Sequence, residues 1–234
     1  MKKFFLFAAA AVAAMTINAE VYDLAGISFA ESDLTVTGGT ISDNASKSYF
    51  EVKNNAGETV EMTVAQLPNM KFSYTNSSVK TAFKVYYITE SNEKGKIQMD
   101  GNQRDLTISN VNVGDVIVLW VNSKGSTGAQ FANNDKGTAF TGAVAVNPDA
   151  PGIGSALPGK DNETDFYIIE LRAIASTVII RETVGGYILH KIQVGAAQGV
   201  ENVFDGAKAV KTFENGQLVI IKNGVRYNAL GAQL

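Results

Sequence analysis

The stretch of sequence that decides the fold is Val116-Ile117-Val118-Leu119-Trp120-Val121. Side chains alternate between the two faces of a strand, and here both faces are apolar. Strands of this kind lie in the middle of a sheet or are covered on both sides. By contrast, the runs 83–88 and 187–194 place polar residues at nearly every second position, as expected for strands with one face in water.

The chain around this strand, from Glu20 to Gly195, repeats a pattern of strands and turns. Its apolar runs are short, rich in Val, Ile, Phe and Tyr, and separated by clusters of Gly, Asn, Asp and Ser. The pattern predicts no long helix and an all-β, antiparallel β-sandwich over residues 20–195. The predicted strands are Leu34–Thr40, Tyr49–Val52, Val60–Val64, Met70–Tyr74, Ala82–Thr89, Lys96–Asp100, Asp105–Ser109, Val116–Asn122, Gly142–Val146, Phe166–Ala173, Ser176–Glu182 and Gly186–Val194.

Residues 1–19 have the pattern of a removable export signal. Met1-Lys2-Lys3 is basic, Phe4–Met15 is apolar, and Ala19 provides a small residue at the expected cleavage site. The apolar run is shorter than the about 20 residues that a membrane-spanning helix needs. We therefore expect an exported protein that starts at Glu20 and has no membrane span in its mature form.

The charge and cysteine content narrow the function classes further. The 234-residue chain carries a formal charge of −3, and removing Lys2 and Lys3 leaves 18 basic against 23 acidic residues. An acidic mature chain argues against nucleic acid or anionic lipid as a partner. Because the sequence has no Cys, disulfides cannot stabilise it.

The composition changes after Gly195. Residues 196–208 are predicted to form a linker, and residues 209–234 a short β-meander. Glu214-Asn215-Gly216 and Asn223-Gly224 mark its turns, because Asn-Gly accepts the positive φ of a two-residue hairpin loop. Such a short meander buries little apolar surface of its own.

This C-terminal segment resembles the sorting tails of exported Bacteroidetes proteins. The shared elements are an Asn-Gly turn, an apolar strand, a second Asn-Gly turn, a Tyr-Asn pair and a late Gly. The resemblance implies export by the type IX secretion route, with the export machinery as a partner of the tail. It implies a cell-surface or extracellular location, or a periplasmic one if the tail is not a sorting signal. The residues that carry it are Asn215, Gly216, Asn223, Gly224, Tyr227 and Gly231.

The body of the chain resembles β-sandwich domains of secreted Bacteroidetes proteins, some of them attached to polysaccharide lyases or other surface glycan proteins. The similar stretches are residues 47–53, 113–118 and 176–180, the last leading to Gly185-Gly186-Tyr187-Ile188. The resemblance implies a sandwich of jelly-roll type and carbohydrate binding.

The sequence offers no recognisable catalytic motif. Nucleophilic catalysis of the Ser-His-Asp or Cys-His type needs a base beside the nucleophile, and His190 is the single His in a chain without Cys. Two carboxylates far apart in sequence can still share a glycosidase cleft, but none of the candidates is distinguished. We therefore expect a protein that is not an enzyme. The candidate carboxylates are Glu90, Glu93, Asp100, Asp165, Glu170 and Glu182.

Three aromatic residues are candidates for stacking on a sugar ring: Trp120, Tyr86 and Tyr187. Trp120 lies in the doubly apolar strand, which favours core packing over a binding platform. Tyr86 and Tyr87 are neighbours, so only one of them can face solvent. Tyr187 follows Gly185-Gly186, where an aromatic ring beside bare backbone could meet a ligand, but a hairpin Tyr more commonly packs on its neighbour.

No cofactor is expected, although calcium is a candidate ligand where oxygen donors cluster. The candidate metal ligands are Asp161, Glu163 and Asp165. The leading hypothesis is an exported, non-catalytic module that binds a polysaccharide or glycan at the cell surface. A structural or adhesive surface protein, binding protein partners or itself, is the main alternative. A small polysaccharide lyase or hydrolase is a third.

Overall fold

The computed structural model describes residues 19–90, 92, 94–101, 103–131, 140–159 and 166–195, and three further strands between residues 210 and 228. The described part is built from short strands and three 3-10 turns, Leu24–Gly26, Glu31–Asp33 and Ala45–Lys47. The strands are β1 Glu20–Asp23, β2 Leu34–Thr37, β3 Gly39–Asn44, β4 Tyr49–Asn54, β5 Thr59–Val64, β6 Met70–Thr75, β7 Thr81–Tyr86, β8 Lys96–Met99, β9 Asp105–Ser109, β10 Val116–Ser123, β11 Phe140–Thr141, β12 Ala143–Ala145, β13 Tyr167–Ala173, β14 Thr177–Arg181, β15 Tyr187–Gly195, β16 Val210–Glu214, β17 Gln217–Lys222 and β18 Val225–Asn228.

Two antiparallel sheets form the body of the protein, which confirms the all-β sandwich. The large sheet has the order β12-β13-β10-β15-β8-β7-β4-β3, with β1 added beside β15. The small sheet has the order β11-β14-β9-β6-β5-β2. Successive strands frequently belong to different sheets, so neither sheet is formed by one continuous segment of the chain.

The pairing of the later strands forms a rolled antiparallel ribbon. β10 pairs with β13 in the large sheet, β9 pairs with β14 in the small sheet, and β8 pairs with β15 back in the large sheet. A long two-stranded ribbon that wraps between two sheets in this way defines a sandwich of jelly-roll type.

The core lies between the facing sides of the two sheets. Phe72 of the small sheet and Phe83 of the large sheet meet there in an edge-on contact, with their ring centroids 6.0 Å apart. Both side chains are fully buried, together with Met62, Ile97 and Leu106. Burying a side chain of this size stabilises the fold by about 1.5–3 kcal/mol, so this layer is what holds the cysteine-free domain together.

Strand β10 occupies the middle of the large sheet, between β13 and β15, as its apolar sequence predicts. Ile117, Leu119 and Val121 are fully buried in the core. The other side of the strand carries Val118 and Trp120, which point away from the small sheet. The second apolar face of this strand therefore belongs to the outside of the sandwich.

The single strand predicted over Leu34–Thr40 is wrong, because the chain changes sheets at Gly38. Residues before it pair with β5 in the small sheet, and residues after it pair with β4 in the large sheet. Gly38 has a φ of 66°, and a Cβ at this position would collide with the backbone carbonyl oxygen of Thr59. Only glycine combines this conformation with such a close approach.

The chain divides into two compact units, residues 1–197 and 198–234. In the second unit, β16, β17 and β18 form a three-stranded antiparallel meander, which confirms the predicted C-terminal β-meander. Phe213 lies opposite Leu218 in the first ladder, and Ile220 lies opposite Tyr227 in the second. Across the described residues, no helix is both long enough and apolar enough to cross a membrane.

Candidate ligand-binding face

The side of the large sheet that faces away from the core carries two of the three aromatic residues proposed from sequence. We call this side, from β13 to β4, the outer face. The strand register places Trp120 between Ile168 and Lys191. Three strands further along the sheet, Tyr86 lies between Lys96 and Tyr49. With about 4.8 Å between neighbouring strands, the two aromatic positions are about 14 Å apart across the sheet.

Trp120 is half-buried on the outer face and its indole lies beneath a cation. The Lys191 ammonium nitrogen is 4.5 Å from the ring centroid. The sheet is irregular here, because the β10–β15 register shifts between Trp120 and Val121. Phe166 and Ile168 are exposed beside it, at 43% and 48% of their surface. Trp120 is therefore a surface residue, and not the core residue that its apolar strand favours.

Tyr86 and Tyr49 form the second aromatic pair, with ring centroids 5.1 Å apart and an edge-on orientation. Lys96 Nζ lies 4.9 Å from the Tyr86 ring centroid, and Lys84 Nζ lies 5.1 Å from that of Tyr49. The neighbouring Tyr87 points the other way and packs against the core, with its ring 4.8 Å from Phe50. As predicted, the side chains of Tyr86 and Tyr87 point to opposite sides of the sheet, and that of Tyr86 faces outward.

Between the two aromatic positions, the outer face holds buried amide and imidazole groups. The Asn122 Oδ1 atom lies 3.0 Å from His190 Nε2, and the His190 ring stacks on Phe166 at 4.6 Å between centroids. The Tyr86 hydroxyl donates to Gln98 Oε1 over 3.2 Å. Asn122 is only 4% exposed. Its Nδ2 atom nevertheless has no hydrogen-bond partner within the described structure. A buried amide donor without a partner is unfavourable, and a ligand oxygen would satisfy it.

Asp100 is the anionic centre at one edge of the outer face. Its Oδ1 atom accepts from Gln98 Nε2 at 2.5 Å and lies 2.9 Å from Lys124 Nζ and 3.4 Å from Lys84 Nζ. Two lysines therefore share one carboxylate, which leaves this group of charges positive overall.

Tyr187, the third aromatic candidate, does not lie at the surface. Its side chain is fully buried in the core, where its ring contacts Phe131 at 4.8 Å between centroids. Tyr187 pairs with Ser123 at the start of β15, in a register that points its ring toward the small sheet. Burial raises the pKa of its hydroxyl well above the usual value, and the nearby Glu182 raises that pKa further. This residue therefore cannot stack on a sugar from solvent.

Among the candidate carboxylates that the structure describes, Glu182 stands out by its burial, and nothing in its sequence context distinguishes it. It is fully buried, and this burial raises the pKa of its carboxyl well above the ordinary value. Its Oε1 atom accepts from the Arg104 backbone N–H over 3.2 Å. The Arg104 guanidinium donates to the carbonyl oxygens of Ala82 and Thr81, over 3.2 and 2.7 Å. This acid lies in the interior and is not positioned to meet a polymeric substrate.

Several predicted site residues lie outside the described residues. These are the metal candidates Asp161, Glu163 and Asp165, the carboxylate Glu93, and the tail residues Asn215, Gly216, Asn223, Gly224 and Gly231. Tyr227 lies in β18, opposite Ile220. Within the described ranges, no group of three His, Cys, Asp or Glu side chains is arranged to hold a metal ion.

Comparison of the chain with protein-family models, with curated proteins and with solved structures finds no match. The function is therefore inferred from the chemistry of the outer face and from the sequence of the two termini.

Proposed function

We propose that the protein is an exported, non-catalytic module that binds carbohydrate on the outer face of its large sheet. The observation that carries this proposal is the placement of Trp120 and Tyr86 on one side of one sheet, with the buried amides of Asn122 and Gln98 close to them. Two ring faces separated by polar side chains suit a glycan chain that lies across the strands.

The chemistry of this face matches what a sugar requires. The apolar face of a pyranose stacks on an aromatic ring, while its hydroxyls exchange hydrogen bonds with amides and charged groups at the rim. Trp120 and Tyr86 provide the rings. Gln98, Asn122 and Lys191 provide polar groups close to them.

Export to the cell surface is the second part of the proposal, and it rests on the sequence. Residues 1–19 have the pattern of an export signal, and the tail resembles a sorting signal. Terminal sequencing and intact mass of the protein recovered from membrane, periplasm and medium test this part. We expect loss of residues 1–19, and periplasmic retention of a variant that ends at Gly195. An unprocessed N-terminus, or unchanged localisation of the shortened variant, would contradict it.

Binding is tested with the purified protein on a polysaccharide panel, by affinity electrophoresis and calorimetry. Trp120→Ala and Tyr86→Ala should each weaken binding about tenfold, and Trp120→Phe should retain most of it, because stacking contributes about 1–2 kcal/mol. Ile174→Ala removes an apolar side chain that is 56% exposed, away from the two rings, and is the matched control. If no polysaccharide binds to correctly folded protein, the carbohydrate proposal is overturned.

One observation favours a second candidate, a surface protein that binds protein partners or itself. Near the β12–β13 end of the large sheet, Val144, Val146, Phe166 and Ile168 are each between 43% and 48% exposed. Apolar side chains grouped at the surface are typical of protein contacts. Sedimentation velocity over a range of concentrations distinguishes the two candidates. Self-association that Ile168→Asp abolishes, without polysaccharide binding, would favour the second one.

A further inference from the structure

We infer that the glycan bound by the outer face is acidic, and that its carboxylate groups are held by Lys191 and Asn122. This inference rests on the proposed function and specifies its substrate class. Three features support an acidic glycan: the charge of the face, the position of the lysines over the rings, and the unpartnered amide of Asn122.

Among the described residues, the outer face has a charge opposite in sign to that of the whole chain. By strand register and ion pairing, its described basic residues outnumber its described acidic residues by two, whereas the chain carries a formal charge of −3. A positive face on an acidic protein attracts anions to that side. The basic residues are Lys53, Lys84, Lys96, Lys124, Lys191 and Arg172, and the acidic residues are Asp23, Glu51, Asp100 and Glu170.

The ammonium groups lie where a stacked sugar would carry its substituents. Lys191 Nζ lies 4.5 Å from the Trp120 ring centroid, and Lys96 Nζ lies 4.9 Å from that of Tyr86. A pyranose approaching either ring meets an ammonium group at close range. A neutral sugar would have to displace this cation from the ring, at a cost of about 0.5–1 kcal/mol for an exposed cation–π contact. A sugar carboxylate would instead pair with the cation.

Asn122 provides a second, independent sign of an oxygen ligand. Its Oδ1 atom lies 3.0 Å from His190 Nε2, so in this orientation the imidazole donates and the amide accepts. Its Nδ2 atom then has no hydrogen-bond partner within the described structure, although the residue is 4% exposed. If the amide were rotated, its oxygen would be left unpartnered in the same place. In the present orientation Asn122 offers a donor two residues from Trp120, and a carboxylate only accepts.

A matched pair of polymers tests the inference. Polygalacturonate carries one carboxylate per sugar, and methyl-esterified polygalacturonate has the same backbone with that charge removed. We expect the purified protein to bind the free acid about tenfold more tightly than the ester. The difference should shrink as NaCl is raised from about 0.05 to about 0.5 M, because salt screens exposed charges.

Variants separate a specific site from general attraction of a polyanion. Lys191→Gln and Asn122→Asp should each weaken binding of the free acid about tenfold, while Lys191→Arg retains it. Lys71→Gln is the control, since Lys71 lies on the small sheet, where it pairs with Glu61 at 2.6 Å. Thermal unfolding of each variant checks that the fold is intact.

The outcomes distinguish this inference from the proposed function. Equal binding of acid and ester, insensitive to salt, would leave the carbohydrate module in place and overturn the acidic class. Equal losses for Lys191→Gln and Lys71→Gln would also overturn it, because binding would then follow net charge alone. Absence of binding to any polysaccharide, neutral or acidic, would overturn both.

Discussion

The guanidinium of Arg104 lies over the ring of Tyr74, with its central carbon 3.8 Å from the ring centroid. Arg104 is 5% exposed, and its Nε and Nη2 atoms donate to the backbone carbonyls of Ala82 and Thr81. A buried cation is tolerated in a protein interior when hydrogen bonds and a π face replace its water. Arg104 thus links β9 of the small sheet, through the loop before it, to β7 of the large sheet.

Replacing Arg104 by lysine should destabilise the fold by about 2–4 kcal/mol, because a single ammonium cannot reproduce the planar fork of donors. The measurement is urea unfolding followed by tryptophan fluorescence. Arg181→Lys is the control, because Arg181 makes a two-point contact with Asp105 at 2.5 and 2.6 Å but is 48% exposed. We expect the control to cost about 1 kcal/mol or less. A similar loss of unfolding free energy in the two variants would show that the buried contacts of Arg104 contribute no more to stability than the exposed contacts of Arg181.

Glu182 should make the stability of the protein depend on pH. Burial raises its pKa in the folded state, so its contribution to stability is fully present below the unfolded value of about 4.3. That contribution is lost as pH rises through the folded pKa, because unfolding then releases a proton. Glu182→Gln keeps the oxygen that accepts from the Arg104 N–H. It should flatten the pH profile and raise stability at neutral and alkaline pH.

The measurement for Glu182 is the free energy of unfolding by urea at several values from about pH 4 to pH 9. The slope of the wild type should be negative over the part of this range that lies between the two pKa values. A Glu182→Gln variant with the same slope as the wild type would show that other groups control the pH dependence.

Tyr187 should tolerate loss of its hydroxyl better than loss of its ring. The hydroxyl is buried and has no hydrogen-bond partner among the described residues. Tyr187→Phe should therefore leave stability unchanged or raise it by about 1 kcal/mol, since an unsatisfied buried group is removed. Tyr187→Ala should cost about 3–5 kcal/mol, because it opens a cavity against Phe131. Thermal unfolding compares them, and a clear loss in Tyr187→Phe would reveal a bound water on the hydroxyl.

Gly38 and Gly57 have similar φ angles but different surroundings. Comparing their alanine variants therefore measures how much stability the close approach of the backbone at Gly38 would cost a larger residue. Gly38 has a φ of 66° and Gly57 a φ of 77°. A Cβ at Gly57 meets nothing within 4 Å, whereas one at Gly38 collides with the Thr59 carbonyl. Gly57→Ala should cost about 1 kcal/mol for its conformation alone, and Gly38→Ala clearly more. Equal losses in chemical unfolding would mean that the close approach at Gly38 relaxes without cost.

The positions of the strands followed from the sequence because alternation and turn residues are local signals. The predicted bounds of Asp105–Ser109 agree with those of β9. The change of sheet at Gly38 was missed, because the β-favouring residues Val36, Thr37 and Thr40 stand on both sides of it. The short β1 was also missed, since its strand character depends on pairing with distant β15.

The identity of the outward-facing residues was less predictable. On β15, the register slips so that Trp120 pairs with Lys191 and Val121 with Leu189. This bulge reverses the alternation around His190. As a result, Tyr187 faces the core and Lys191 faces outward, although both positions are odd-numbered. Periodicity alone contains no signal for such a slip, so the opposite orientations of Tyr187 and Lys191 could not be predicted from the sequence.

The pairing of β1 with β15 has a consequence for the order in which the chain folds. Glu20 lies opposite Val194, so the two ends of the sandwich domain meet in one ladder. Contacts between residues so far apart in sequence form late and slowly, because a long loop must close before they contribute. The large sheet cannot be completed until nearly the whole domain has been made. The first strand of the domain therefore finds its partner only when the last strand has been made.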